Sequence, residues 1–258
     1  MNKIKLFAVE STNACNGGCS YCPVGQGIMT RQVGYLDPEV LKTVLKRYES
    51  CFQTIEPFRY IHQEQTLELH NFGEPLLHPR LDKVVKIVSD SGINPIVGTN
   101  GSLLTRELSQ KLKEAGLKTY HIQWNRFKPF KQSINAAKLG IDTLVIVLTP
   151  NATFPDKTII TQNQINKLKE AGARIYLKRL RNFEGKENFL EKHDCVWLKE
   201  NWKVMLWNGD IVTCCNDYNA DSVIGHYNKD DIKVNIPYSK CKDCAGYAVD
   251  RDYEGIII

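Results

Sequence analysis

The feature that most constrains the fold is a repeated stop. Ser91-Gly92, Ala115-Gly116, Leu139-Gly140 and Ala171-Gly172 each close a stretch of helical periodicity, and a strand-like apolar run follows each within a few residues. Glycine takes up the left-handed backbone that ends a helix at little steric cost. Helix, glycine stop and strand in repetition imply parallel strands joined by right-handed crossovers. Strands are expected at 5–10, 66–70, 93–97, 120–122, 143–148 and 174–177, six by about residue 180. A closed eight-unit barrel takes about 250 residues. Six units therefore predict an α/β fold with an open, partial (β/α)6 TIM-like barrel over residues 1–185.

The helices between these strands carry their own signals. Asp37-Pro38 supplies an N-cap with proline at the first helical position, and Leu41, Val44, Leu45 and Tyr48 follow on one face. Leu81, Val84, Val85 and Val88 repeat that spacing, and Thr161 with Gln164 forms a capping box. Cys51 continues the face of the first helix and reads as a small core residue.

Where strands end, three motifs fall at equivalent places. The first strand feeds Asn13-Ala14-Cys15-Asn16-Gly17-Gly18-Cys19-Ser20-Tyr21-Cys22-Pro23, the second Asn71-Phe72-Gly73-Glu74-Pro75, and the third Gly98-Thr99-Asn100-Gly101. The last two are common turn sequences when taken singly. Together they line one rim of the barrel and describe one pocket. Cys15, Cys19 and Cys22 put three soft ligands in a loop tight enough to wrap one small inorganic object. Iron–sulfur cubanes are usually held by four thiolates, so three leave one iron open. A disulfide leaves a thiol over. A structural zinc site needs a fourth ligand, and the next cysteine or histidine is Cys51 on a helix. Chance clustering is the remaining alternative.

The nine cysteines segregate: three at the front, Cys51 alone, and Cys195, Cys214, Cys215, Cys241 and Cys244 at the back. No apolar run approaches the roughly 18–20 residues that span a membrane, and Met1-Asn2-Lys3-Ile4-Lys5 opens without a signal-peptide core. A cytoplasmic location is expected, where such cysteine usage points to metal or catalysis. The net charge of +5 tolerates an anionic substrate and does not call for nucleic acid.

With those residues in view, Cys15-x3-Cys19-x-Tyr21-Cys22 resembles the cluster motif of the radical S-adenosyl-L-methionine (AdoMet) enzymes, aromatic residue included. Phe72-Gly73-Glu74-Pro75 is similar to their Gly-Gly-Glu-Pro motif, which holds the AdoMet amino group; Phe72 replaces its first glycine. Thr99 and Asn100 stand where that family places polar residues near the AdoMet ribose. The resemblance covers residues 5–180. It implies a [4Fe–4S] cluster whose open iron chelates AdoMet, a reducing partner such as flavodoxin or ferredoxin, and hydrogen abstraction from a substrate C–H bond.

Beyond Gly185 the alternation stops, and residues 186–258 are expected to form a second, smaller domain. Trp207-Asn208-Gly209-Asp210 reads as a hairpin turn. On spacing alone the rear cysteines suit zinc or a second cubane equally. The pattern resembles the short auxiliary-cluster extension, called twitch and related to the SPASM domain, of some radical AdoMet enzymes. That resemblance implies Cys195, Cys214, Cys241 and Cys244 as ligands of a second [4Fe–4S] cluster. Cys215 is then surplus: a small buried residue, an alternate ligand, or a hydrogen-atom donor, as thiols are in some peptide epimerases of the family. The family's aminocyclitol dehydrogenase contacts its substrate through an arginine after the last barrel strand. Here that stretch is Asn182-Phe183-Glu184-Gly185, with Arg179 and Arg181 nearby.

Glu10, His70, His78, His121, Trp124-Asn125-Arg126, Lys178, Arg179 and Arg181 are further candidates for substrate or cofactor contact, each with a structural alternative. Two reactions are expected of such a chain. One is oxidation of a small polar metabolite, with the auxiliary cluster accepting the electron. The other is epimerisation or crosslinking of a ribosomally made peptide, which would need a separate recognition protein or short-range contacts. A non-catalytic iron–sulfur or zinc protein is the reading from outside enzymology.

Overall fold

The computed structural model describes residues 5–48, 65–124, 127–149, 160–179, 196–199, 201–229 and 255–257. Six parallel strands, β1 (Lys5–Val9), β2 (Thr66–Glu68), β3 (Asn94–Thr99), β4 (Thr119–Trp124), β5 (Asp142–Thr149) and β6 (Arg174–Arg179), lie side by side in chain order. Helices α1 (Pro38–Tyr48), α2 (Leu81–Asp90), α3 (Arg106–Glu114), α4 (Phe130–Lys138) and α5 (Gln162–Glu170) lie in the connections between them. Gly92, Gly116, Gly140 and Gly172, just past the ends of α2 to α5, have φ of 77°, 101°, 76° and 89°, the left-handed stops expected of them. The Thr161 capping box is formed in full.

Strand alternation sorts the side chains into two layers. Leu67, Leu69, Val97, Tyr120 and Ile122 pack outward against Leu41 and Val44 of α1, Val84, Val85 and Val88 of α2 and Leu112 of α3. Farther along the sheet, Val145, Val147, Ile175 and Leu177 meet Ile165 and Leu168 of α5. Ile96, alternate to Val97, belongs instead to the opposite, concave face.

After β6 the chain continues the same sheet rather than starting another. The short helix α6 (Val196–Lys199) leads to β7 (Trp202–Met205), which pairs parallel with β1; β8 (Asp210–Val212) and β9 (Val223–His226) add antiparallel strands beyond it. The hairpin expected at Trp207–Asp210 is thus β7–β8. The strand β10 (Gly255–Ile257) pairs antiparallel with β6 at the other end. Among the described residues β9 and β10 are the two free edges, and the barrel is not closed. Ala8, Ile96, Trp197, Trp202, Val204 and Val212 form a second apolar cluster, in which Trp197 lies edge-on to Trp202 at 5.8 Å. This joins the C-terminal hairpin to the barrel's inner wall.

Candidate functional site

The three strand-end motifs converge as expected, and backbone contacts explain why. The Glu74 amide donates to the Ala14 carbonyl at 2.7 Å, fastening the second motif to the thiol loop. Gly73 permits this approach. Its φ is 93°, and a Cβ there would lie 2.4 Å from the Thr12 carbonyl oxygen. The Glu74 carboxylate, 1% exposed, is held by the third motif. Thr99 Oγ1 donates to Oε1 at 2.6 Å and the Asn100 amide donates to Oε2 at 2.7 Å. The Leu76 amide adds a third bond to Oε1 at 3.1 Å. Burial pushes the Glu74 carboxyl up from its ordinary value, and these donors oppose that shift. Asn100 Nδ2 reaches back to Asn16 Oδ1 at 2.9 Å, and Asn16 Nδ2 to Ser102 Oγ at 2.9 Å. The first and third motifs are thereby tied side chain to side chain.

In the thiol loop Cys15, Cys19 and Cys22 are half-buried. The Cys22 amide donates to the Cys19 carbonyl at 3.1 Å, and Gly25 passes so close that a Cβ would lie 2.2 Å from that oxygen. The Gly17 amide donates to Cys15 Sγ at 3.2 Å. Burial pushes the Cys15 and Cys22 thiols up, and for Cys15 the nearby Glu74 charge adds to it. Binding metal here must therefore displace protons. Among the described residues no three of His, Cys, Asp and Glu close on a single metal ion. Three soft thiolates in one tight loop suit an iron–sulfur cluster that keeps one iron open. Tyr21 is half-buried beside Cys19, and burial and that thiol raise its phenol. Phe72, standing at the departure from the family motif, is buried with its ring edge-on to Tyr218 at 6.1 Å.

Several other candidates resolve into structural roles. Glu10, fully buried, is gripped by Arg31 through two bonds, Nη1 to Oε2 at 2.8 Å and Nη2 to Oε1 at 2.7 Å. Arg31 Nε also donates to the Tyr218 carbonyl at 2.6 Å, and the Thr30 amide to Asn219 Oδ1 at 2.8 Å. Of the two readings of Glu10, core or pocket, the buried one holds: it anchors Arg31, which docks the segment after the thiol loop onto the C-terminal hairpin. His78 sits with Nε2 2.7 Å from the Leu36 carbonyl and accepts from the Arg80 amide at Nδ1, a buried bridge. Trp124 turns outward against Phe130, away from the concave face. Asn125, Arg126 and Arg181, and the side chains of Lys178 and Arg179, lie outside the described residues.

Of the C-terminal thiols, Cys214 and Cys215 are half-buried on the turn after β8, packed against the inner apolar cluster. Asp217 holds that turn by accepting from the Asp221 and Ser222 amides, both at 2.8 Å. Cys51, Cys195, Cys241 and Cys244 lie outside the described residues. Sequence reasoning passed over Glu68, which sits between His70 and His121 on the wall below Thr99. The signal was the Glu-x-His spacing of the second strand, read there only as strand.

The rim, with its thiol loop and locked carboxylate, defines an enzyme class whose sequences can be matched directly. The Radical SAM superfamily matches residues 9–140, and the chain belongs to it. An AdoMet-dependent heme synthase from Methanosarcina barkeri is 30% identical over 118 residues, 45% of this chain and 30% of that protein. A GTP 3',8-cyclase from Clostridium botulinum is 27% identical over 127 residues, 49% of this chain and 36% of that protein. These matches span about a third of each relative's own length. Among solved structures, BtrN in complex with AdoMet and 2-DOIA superposes with a TM-score of 0.57 at 21% identity, over 90% of this chain and 82% of that one. Streptococcus suis SuiB bound to S-adenosylmethionine gives 0.67 at 11% identity, over 94% and 68%. Both are likenesses of fold. Among the described residues no helix is long and apolar enough to cross a membrane.

Proposed function

We propose that this radical AdoMet enzyme oxidises a hydroxyl- or amino-bearing carbon of a small polar metabolite. Cys15, Cys19 and Cys22 hold a [4Fe–4S] cluster, with Tyr21 packed beside them. Phe72, Gly73, Glu74 and Pro75 position the AdoMet amino group, and Thr99 and Asn100 face its ribose. When bound, the cluster and AdoMet supply a 5′-deoxyadenosyl radical that takes a hydrogen atom from substrate. Cys195, Cys214, Cys241 and Cys244 hold a second cluster that receives the remaining electron. A flavodoxin- or ferredoxin-like protein serves as reductant.

The observation that carries the reading is the Glu74 carboxylate, buried on the same rim as the thiol loop and fixed by Thr99 and Asn100. A buried anion facing an ammonium group gains more than one in water. Oxidation of a small metabolite is supported by the likeness to BtrN, solved in complex with AdoMet and 2-DOIA. Anaerobic reconstitution with iron and sulfide counting, then a dithionite-driven assay for 5′-deoxyadenosine, tests it. About eight irons are expected, four per cubane. Four irons would remove the second cluster, and no AdoMet cleavage would remove the whole reading.

A second reading, peptide modification with Cys215 as hydrogen donor, is supported by the likeness to SuiB, which has also been solved bound to its precursor peptide SuiA. It requires a D-residue or a new crosslink in a peptide product.

A further inference from the structure

The inner wall of the barrel carries a polar cluster that neither the thiol loop nor the Glu74 shelf uses. His121 on β4 is in register with Gly98 on β3 and Leu144 on β5. Its strand neighbours Tyr120 and Ile122 pack outward against the helices, so by alternation His121 faces the concave side. Gly98 leaves room on that face. A Cβ there would lie 2.2 Å from His70 Cε1, so the His70 ring occupies the space that a side chain at Gly98 would take. Glu68 on β2 sits between the two rings, its Oε2 3.0 Å from His70 Nδ1 and its Oε1 3.3 Å from His121 Nδ1. Gly98 directly precedes Thr99, whose hydroxyl holds Glu74. The cluster therefore lies one strand position below the shelf.

His121 is 6% exposed, and among the described residues its Nε2 has no hydrogen-bond partner. Buried polar atoms almost always have one, so an orphan asks for an explanation. A carboxylate oxygen accepts, which puts the imidazole proton on Nδ1 and leaves a lone pair on Nε2. His121 turns Nδ1 to the carboxylate, whereas His70 Nδ1 also accepts from the Gly98 amide at 3.2 Å, so the two rings do not converge on a shared vacant point as metal ligands would. A lone pair backed by a carboxylate attracts O–H and N–H donors and repels carboxylates and phosphates.

We infer that His121 Nε2 is the substrate dock: it accepts a hydrogen bond from a hydroxyl or amino group of a neutral or cationic polyol. Glu68, 3.3 Å from Nδ1, is the positioning residue that fixes the ring. The inference rests on the proposed oxidation of a small polar metabolite and names the class of molecule that sits there.

The test uses the reconstituted holoenzyme with AdoMet, labelled with nitrogen-15 at histidine. Nuclear magnetic resonance is expected to show His121 Nε2 unprotonated in the free protein. Titration with myo-inositol or an amino-inositol shifts that resonance, and an inositol phosphate leaves it unmoved. His121→Gln weakens binding of the responding probe at least about tenfold, the loss of one hydrogen bond. A protonated Nε2, or a resonance that no polyol moves, overturns the assignment. AdoMet cleavage without oxidation of a bound probe would sink the proposed reaction while leaving the dock intact. Oxidation that proceeds with the His121 signal unmoved would do the reverse.

Discussion

Thr99 and Glu74, from different strand-end loops, meet in a 2.6 Å bond between a hydroxyl and a carboxylate that is 1% exposed. The pair is what turns two ordinary turn sequences into one shelf. Thr99→Val keeps the shape and removes the donor. A buried carboxylate left short of one donor costs about 1–3 kcal/mol, and its orientation loosens. Thermal unfolding should report that loss, and equilibrium dialysis should find AdoMet binding weakened about tenfold. Unchanged AdoMet affinity would mean that Glu74 does not hold the cofactor.

Gly73 makes the same point through the backbone. Gly73→Ala must place a methyl 2.4 Å from the Thr12 carbonyl oxygen and 2.8 Å from Asn13 Cα, in a left-handed conformation. Neither neighbour is the end of a flexible side chain, so the loop itself must move. Gly92→Ala is the control, because its φ is also positive but nothing lies within 4 Å. The control should cost only the backbone strain, about 1–2 kcal/mol, and leave AdoMet binding alone. Gly73→Ala should lose AdoMet binding well beyond its loss of stability. Equal behaviour of the two variants would refute the close-approach argument.

The Glu10–Arg31 pair predicts a non-additive mutant cycle. Arg31→Leu strands a fully buried carboxylate, and breaking such a pair from one side costs about 3–5 kcal/mol. Glu10→Gln combined with Arg31→Leu removes the charge with its partner and should recover part of that loss. Denaturant unfolding of the two single variants and the double one measures the coupling. Additive losses would show that the ion pair does not couple the end of β1 to the segment after the thiol loop.

His78 predicts a pH effect. Burial lowers its pKa from the ordinary 6.5, so the folded protein holds it neutral while the unfolded chain takes up a proton. More protons on the unfolded state means stability rises with pH in that window. The contribution is complete above 6.5 and is lost as pH falls toward the lowered folded value. His78→Gln keeps an N–H donor for the Leu36 carbonyl and removes the titration. Melting temperatures between about pH 5.5 and 7.5 should therefore fall more steeply on acidification for the natural protein than for the variant. Parallel curves would show that His78 does not titrate as burial requires.

The repeated glycine stops made the parallel sheet legible, because a left-handed stop is a local requirement that tertiary context rarely overrides. The rim was legible for the same reason: Gly73 and the thiol spacing are local patterns at strand ends. The pairing of β7 beside β1 was not, since a four-residue strand carries no sign of its neighbour. Nor was the partner of Glu10, because an ion pair joining a strand end to a loop leaves no spacing to read. Trp124 was placed toward the pocket by its nearness to a strand end, while for His78 the structural alternative holds. Strand parity sends Trp124 outward, and the Leu36 carbonyl claims His78.

Cys214 and Cys215 are adjacent, equally half-buried and packed on the same apolar cluster, yet the proposed second cluster uses only one of them. Successive residues on an extended strand point to opposite sides, so both sulfurs reaching one cubane would need the backbone to turn between them. Here the backbone does turn, just after β8, which keeps the alternate-ligand role of Cys215 physically open. Substitution separates the two. Cys214→Ala should lower reconstituted iron from about eight per chain to about four, with the AdoMet-dependent cluster and its cleavage activity retained. Cys215→Ala should leave about eight and leave AdoMet cleavage unchanged. Electron paramagnetic resonance of the dithionite-reduced protein gives an independent count, since loss of one cluster removes one of two overlapping signals. Equal iron loss in both variants would make the thiols interchangeable ligands. Full iron in Cys214→Ala would remove Cys214 from the second cluster altogether.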